Sequence, residues 1–291
     1  MSFARATVTK TSRLSARLHR IVLHCPDLDR LDVPSAADAA VGVYFPDPGL
    51  DGPPAPEYRD GVLGFHDPDN TPEGRNYSIR HHDTATNRIT VDVVLHQHGV
   101  GTTWAANAKP GHQVELAHAR SWYDPETTTD WQLLVTDLSG LPAAARIISE
   151  LDSQTETLVI AEVLDESDLT FLPSKSNVTV EASVGTGNGA SPSVLAERVK
   201  TRSLPTGRGY CWFAGEAAES RTVRKYFREL GWSARQLDVI GYWRFDSERW
   251  DREFALVQDE LLPIYERALA EGKGDKAAFE EFDDALEQAG L

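Results

Sequence analysis

Cysteine is nearly absent. Cys25 and Cys211 are the only two in 291 residues, too few and too far apart for a disulfide framework, a zinc ribbon or a C-x-x-C redox pair. Thiol chemistry is not expected. Positive charge is also scarce, with 29 Lys and Arg against 45 Asp and Glu and a formal net charge of −16. Nucleic-acid affinity comes from neutralising backbone phosphates, so no nucleic-acid partner is expected, and an anionic ligand has to find a local basic pocket. No apolar run approaches the ~20 residues of a membrane helix. The polar, basic opening 1–13 leads into no apolar stretch of signal-peptide type. A cytoplasmic protein without stable membrane insertion is the expectation.

What remains is an ordinary globular composition, 41% hydrophobic and 25% charged, on a chain long enough for two domains with real cores. Strand-like segments run through Ala6 to Leu23, Val41 to Phe45 (closed by Pro46), Tyr77 to His81, Arg88 to His96 and Gln113 to Ala117. Asp47 to Asp60, crowded with Pro, Gly and Asp, reads as loop. Short strands with turn punctuation predict an antiparallel barrel over roughly the first ~125 residues.

From Trp131 onward strands and helices alternate. Leu133–Val135, Thr157–Val163, Asn177–Val184, Tyr210–Ala214 and Leu237–Tyr242 read as strands. Leu141–Leu151, Val194–Thr201 and Ala217–Leu230 read as helices, which together predict an open, parallel α/β sheet. Phe254, Val257, Leu261 and Tyr265 recur at helical spacing, and Gly272 and Gly274 separate them from a short acidic helix over Lys276–Ala289. The fold class is therefore β followed by α/β with a C-terminal helical extension, divided as 1–128, 129–250 and 251–291. The extension reads as a packed appendage, with a lid or a dimer contact as alternatives.

Two segments carry recognisable chemistry. In Arg75-Asn-Tyr-Ser-Ile-Arg80 the strand period puts Arg75, Tyr77 and Ile79 on one face and Ser78 and Arg80 on the other. Guanidiniums fit phosphates in bidentate fashion, and a tyrosine ring can lie against a flat heteroaromatic. A solvated edge strand is the alternative for this segment alone. After the next strand, His98-Gly-Val-Gly-Thr-Thr-Trp-Ala105 puts two glycines before a Thr-Thr pair opening a helix, a setting suited to a pyrophosphate. His96 and His98 share a strand face, but no carboxylate or cysteine is placed to complete a metal site.

Together with Val135–Arg146, Cys211–Ala217 and Val239–Arg244, in that order and spacing, these segments resemble the siderophore-interacting protein family. These are flavin-dependent ferric-siderophore reductases of the ferredoxin-reductase-like superfamily. The resemblance implies a barrel that holds FAD through Arg75, Tyr77, Ser78 and Arg80, completed by His96, His98, Gly101, Thr102, Thr103 and Trp104. It further implies an α/β domain that receives NADH or NADPH near Thr136, Asp137, Ser139, Gly215 and Glu216. A ferric siderophore would be held near Tyr242, Trp243 and Arg244, with an ordinary salt bridge as the other reading of Arg244. Electrons would pass from NAD(P)H, or from ferredoxin, through FAD to chelated Fe(III). A siderophore-binding protein with little turnover and a general flavin or ferredoxin-type reductase are the rival readings.

The chain departs from the family pattern twice. Thr136-Asp-Leu-Ser-Gly140 stands where the family usually has Gly-Asp-Glu-Thr-Ala, losing a carboxylate and leaving the choice between NAD and NADP open. Gly42 stands where the family commonly has a lysine, which implies a less cationic chelate site that prefers neutral or weakly charged ferric chelates. Gly185-Thr-Gly-Asn-Gly189 lacks the sixth-position glycine of a dinucleotide fingerprint and reads as a flexible loop. His81–His82 and Asp283–Asp284 read as solvated surface.

Overall fold

The structure, a computed structural model, describes residues 2–59, 61–67, 70–96 and 99–291. Its chain divides into two compact units, 1–242 and 243–291.

The first unit begins with strands β1 (Phe3–Arg13), β2 (Leu18–His24), β3 (Ala40–Tyr44), β4 (Glu57–Arg59), β5 (Val62–Gly64), β6 (Gly74–Asp83) and β7 (Arg88–Val94). Helix α1 (Val100–Asn107) and strand β8 (Gln113–Arg120) follow. Six antiparallel pairings close a barrel in the order β1-β2-β7-β6-β3-β8. Alternation along each strand sends Ala4, Ala6 and Val8, Ile21 and Leu23, Val41 and Val43, and Ile89, Val91 and Val93 into one core. Each such Val, Leu or Ile contributes roughly 1.5–3 kcal/mol when fully buried. The stretch 47–60 is not wholly loop: Glu57–Arg59 pairs with Val62–Gly64 in a small separate hairpin.

Beyond the barrel come β9 (Trp131–Thr136), α2 (Leu141–Glu150), β10 (Glu156–Val163), β11 (Val178–Val184), α3 (Leu195–Thr201), β12 (Gly209–Glu216), α4 (Ala217–Glu229) and β13 (Leu237–Trp243). The sheet order is β11-β10-β9-β12-β13, with the β11, β10, β9 and β12 pairings all parallel. Every residue of β9 is buried, as a parallel strand covered on both faces requires. Leu133 and Val135 pack with α3 and α4, while Leu134 packs with α2, Tyr210 and Trp212. Strands are added to one side of β9 and then to the other, so the order reverses between β9 and β12. Ligands of such sheets bind at this switch point, outside the strands' carboxyl ends.

The barrel and the sheet are tied by one carboxylate. Asp38, buried just before β3, accepts the backbone N–H groups of Trp122 (3.1 Å) and Tyr123 (3.0 Å) and the Trp212 indole N–H (3.2 Å). A second tie runs from α2, where Arg146 Nη1 donates to the Ile79 carbonyl of β6 at 3.1 Å.

The second unit contains α5 (Ser247–Ala255), α6 (Gln258–Ala270) and α7 (Gly274–Gln288). The helix expected through Phe254 and Tyr265 is broken at Leu256–Val257, because Val257 takes φ −125 and caps α6. Trp250 stacks on Phe254 with centroids 4.8 Å apart, and Leu261, Ala268, Ala278 and Leu286 are buried. Asp283 is only 4% exposed, which corrects its reading as surface. Among the described residues no helix is long and apolar enough to cross a membrane.

Asp38→Ala strands three buried N–H donors. It is expected to cost about 3 kcal/mol of stability, read as a lower urea midpoint. A loss under about 1 kcal/mol would show that the docking does not rest on this carboxylate.

Candidate functional site

Strand β6 carries the first group of candidates. Ile79 is fully buried in the barrel core, with Tyr77 packed against that core. The Tyr77 ring meets Phe45 edge-on at 6.2 Å. Burial pushes its phenol up to about 12, so it stays protonated. On the other face Ser78, 7% exposed, lies with its hydroxyl 3.5 Å from the Tyr242 hydroxyl at the end of β13. Burial also raises the Tyr242 phenol.

The two arginines of the segment differ. Arg75 is exposed, paired with Glu73 at 3.1 Å and donating to the Gly74 carbonyl. Arg80 is partly buried and makes no hydrogen bond or ion pair among the described residues. It stands between two engaged guanidiniums, Arg20 on Asp92 (2.7 Å) and Arg146 on Glu150 (2.7 Å). Burial first, and the like charges of Arg20 and Arg146 with it, lower its pKa. A partly desolvated cation without a partner gains by binding an anion.

The start of α1 lies against this strand. Gly101 touches Tyr77 so closely that a Cβ there would sit 2.0 Å from the phenol oxygen. The helix opens at Gly99, whose φ of 128 is open to glycine, and no side chain caps it. Thr102 Oγ1 accepts from His96 N–H and donates to the Val94 carbonyl, fixing the strand-to-helix turn, while Thr103 is exposed. Trp104 is core: it is 8% exposed and packs on Phe45 at 5.1 Å, so it supports the helix from below. His98 lies outside the described residues. No cluster of three metal-ligating side chains occurs among the described residues.

Gly42 faces outward on β3 opposite Asn76, on the same face as Ser78, which pairs with Ala40. A Cβ there would come 3.2 Å from the Ala117 carbonyl and 3.7 Å from the His118 ring. His118 takes φ 54 and its Nε2 lies 3.0 Å from the Tyr44 hydroxyl. Burial and Arg120 lower its pKa, which favours the neutral ring. This part of the face is therefore aromatic, with Arg120, opposite Ala40, as its charged neighbour.

The second group of candidates does converge, at the carboxyl edge of β9 and β12, but each member is turned onto the chain itself. Thr136 is fully buried and donates to the Asp137 carbonyl at 2.9 Å. Asp137 accepts Ser139 N–H (2.8 Å) and Oγ (2.5 Å). Gly215 lets Asp137 approach, since a Cβ there would be 3.0 Å from its Oδ2. Glu216 caps α4 through Ala218 N–H (2.7 Å) and Glu219 N–H (3.1 Å). Trp243 and Arg244 belong to the second unit, where the Arg244 guanidinium lies 4.2 Å above the Trp250 ring, a cation–π contact.

Sequence reasoning missed Asp38, Arg146, Glu162 and Asn188. Glu162 was detectable as a lone acid in the apolar run Leu158–Val163. The loop 185–189 makes side-chain hydrogen bonds: Thr186 donates to Glu162 at 2.9 Å, and Asn188 accepts Leu138 N–H at 2.9 Å.

Residues 7–121 match the siderophore-interacting FAD-binding domain, and residues 129–246 match the siderophore-interacting protein family. The chain is 29% identical to the ferric vibriobactin reductase of Vibrio cholerae, over 66% of this chain and 73% of that one. It is 23% identical to the NADPH-dependent ferric-chelate reductase of Escherichia coli, over 84% and 93%. A siderophore utilization protein from T. fusca superposes with a TM-score of 0.71 at 28% identity, covering 84% and 93% of the two chains.

Gly140 lets the β9–α2 turn lie close against the ends of β9 and β12. A Cβ there would lie 2.3 Å from Thr136 Oγ1 and 2.6 Å from the Ala214 carbonyl. Gly140→Ala is expected to lose about 2 kcal/mol or more in denaturant unfolding, and a neutral effect would mean that the turn can move away from β12.

Proposed function

We propose, from the premise that this chain belongs to the siderophore-interacting protein family, that it is an FAD-dependent oxidoreductase reducing Fe(III) held by a siderophore, with a nicotinamide nucleotide as donor. The observation that carries this is the pairing of a partnerless guanidinium, Arg80, with a helix start that no side chain caps. Both are anion sites, and Tyr77 brings their elements into contact through Gly101. The residues fit FAD: Arg80 and the first amides of α1 suit its pyrophosphate, Tyr77 and Ser78 its ring system. Bound there, FAD supplies the chemistry that accepts a hydride and delivers single electrons.

The chain's own task is positioning. Phe45 and Gly101 fix the Tyr77 ring. Ser78 and Tyr242 stay protonated, so each can donate a hydrogen bond at the ring's edge. No general base is needed, because the metal reaction moves electrons only. Hard-oxygen chelators hold Fe(II) less tightly than Fe(III), so reduction loosens the substrate. The outward face around Gly42, His118 and Tyr44 is where the chelate would rest, and glycine in place of a lysine leaves it less cationic, which suits neutral or weakly charged ferric chelates. Trp243 and Arg244 stand as separate candidates for chelate contact, in the second unit.

The reading is tested by purifying the protein with FAD, adding NADH or NADPH anaerobically, and then adding a ferric hydroxamate. Loss of the flavin absorbance and its return with Fe(II) release are expected. A protein that binds the chelate but takes up no FAD would be a binder, and the proposal would fail.

Arg80→Ala removes one charge-assisted contact and is expected to weaken FAD binding roughly tenfold or more. Arg75→Ala, whose guanidinium is already held by Glu73, should weaken it less. Equal retention of FAD by both variants in equilibrium dialysis would refute the assignment of Arg80.

A further inference from the structure

The α1 start and the carboxyl edge of the sheet treat anions in opposite ways. At the edge, the backbone donors at the helix starts are taken by the protein's own groups. In the β9–α2 turn, Asp137 accepts Ser139 N–H, Asn188 accepts Leu138 N–H, and Leu141 N–H bonds back to the Asp137 carbonyl. Pro142 has no N–H to offer. At the start of α3, Glu162 Oε1 accepts Val194 N–H (2.8 Å) and Glu219 accepts Ala196 N–H (2.7 Å). At α4, Glu216 accepts two more. At α3 and α4 the positions where a dinucleotide's phosphates would meet helix dipoles are thus filled by carboxylates, while α2 has no side-chain cap and its turn is held by Asp137, Asn188 and a backbone carbonyl.

Glu162 adds an independent observation. It lies at the end of β10, the next strand in the chain and the direct parallel partner of β9, about twenty residues after Gly140. An acid in that position binds the adenosine ribose hydroxyls in NAD-type sheets. It is 0% exposed, and its Oε2 has no hydrogen-bond partner, lying against Gly187 where a Cβ would approach to 1.8 Å. The segments 136–141, 163–168, 184–194 and 214–220, at the ends of β9, β10, β11 and β12, contain no Lys or Arg. Arg17, beside the edge, is engaged with Asp168 (3.5 Å). Burial raises the Glu219 carboxyl, and the charges of Glu162 and Glu216 act in the same direction, so the three share one electrostatic environment.

We infer that this edge discriminates against a 2′-phosphate, and that the hydride donor is NADH in preference to NADPH. The inference rests on the reading above that a nicotinamide nucleotide is the donor and docks at the switch point. NADPH brings two further negative charges to strand ends that carry no Lys or Arg, while NADH brings a ribose hydroxyl that carboxylates can accept. The relative from Escherichia coli, described as NADPH-dependent, would differ from this chain in that respect.

The test is anaerobic stopped-flow reduction of the FAD-loaded protein by each nucleotide, with calorimetric titration of ADP-ribose and its 2′-phosphate as a readout that needs no turnover. NADH is expected to have at least a tenfold larger second-order rate constant, and ADP-ribose a correspondingly lower Kd, with both gaps narrowing as salt rises. Glu216→Gln with Glu219→Gln keeps an oxygen to cap each helix but removes two charges, and should shift the NADPH-to-NADH ratio several-fold towards NADPH. NADPH equal to or faster than NADH overturns the inference and leaves the donor reading intact. Reduction by dithionite but by neither nucleotide overturns both. A ratio that does not move in the double variant overturns the role given to the carboxylates.

Discussion

One buried carboxylate sets the geometry on which the rest depends. Asp38 gathers three N–H donors, two from the connection after the barrel and one from Trp212 in the middle of the sheet. A buried ionised group is tolerated only when it is hydrogen-bonded, and the three donors meet that demand. Burial pushes Asp38 up and its hydrogen bonds pull it down. Its partners lie in separate segments, so the barrel and the sheet can dock only where all three reach it. Trp212 then meets Tyr242, and Tyr242 meets Ser78, so the contact that fixes the docking also fixes the place where the two candidate sites meet.

The distribution of anion sites follows from the same economy of charge. The protein carries a large negative excess, and its sheet edge spends carboxylates on its own helix starts. The barrel helix is left uncapped at Gly99, and Arg80 is held between Arg20 and Arg146 without a counter-ion of its own. Capping stabilises a helix but removes a ligand site, and leaving it open does the reverse. Both thiols are buried, with Cys25 pushed up to about 11, so neither competes as a redox group.

Much of the fold was legible in local pattern. Alternation specified the barrel strands, and apolar runs separated by amphipathic helices specified the sheet, because burial on one face or two leaves its period in the sequence. Exceptions arose where a tertiary contact overrode local composition. Glu57–Arg59 became a strand only by pairing with Val62–Gly64. The glycine-rich loop 185–189 reads as flexible from its composition, and its Thr186 and Asn188 bond to Glu162 and Leu138.

The sequence by itself determined the strand-and-helix order and the Arg75–Arg80 segment with its alternating faces, since strand geometry follows from residue type and spacing. It also determined the excess of negative charge. Only the tertiary structure decided which of two similar arginines is left without a partner: Glu73 lies within reach of Arg75, while Arg20 and Arg146 hold the carboxylates around Arg80. It likewise gave Asp137, Ser139 and Glu216 hydrogen-bond partners within the chain, because parallel packing brings strand ends and helix starts from distant segments to one edge. Hydrogen-bond competition at that edge depends on distances in space, which spacing along the chain does not encode.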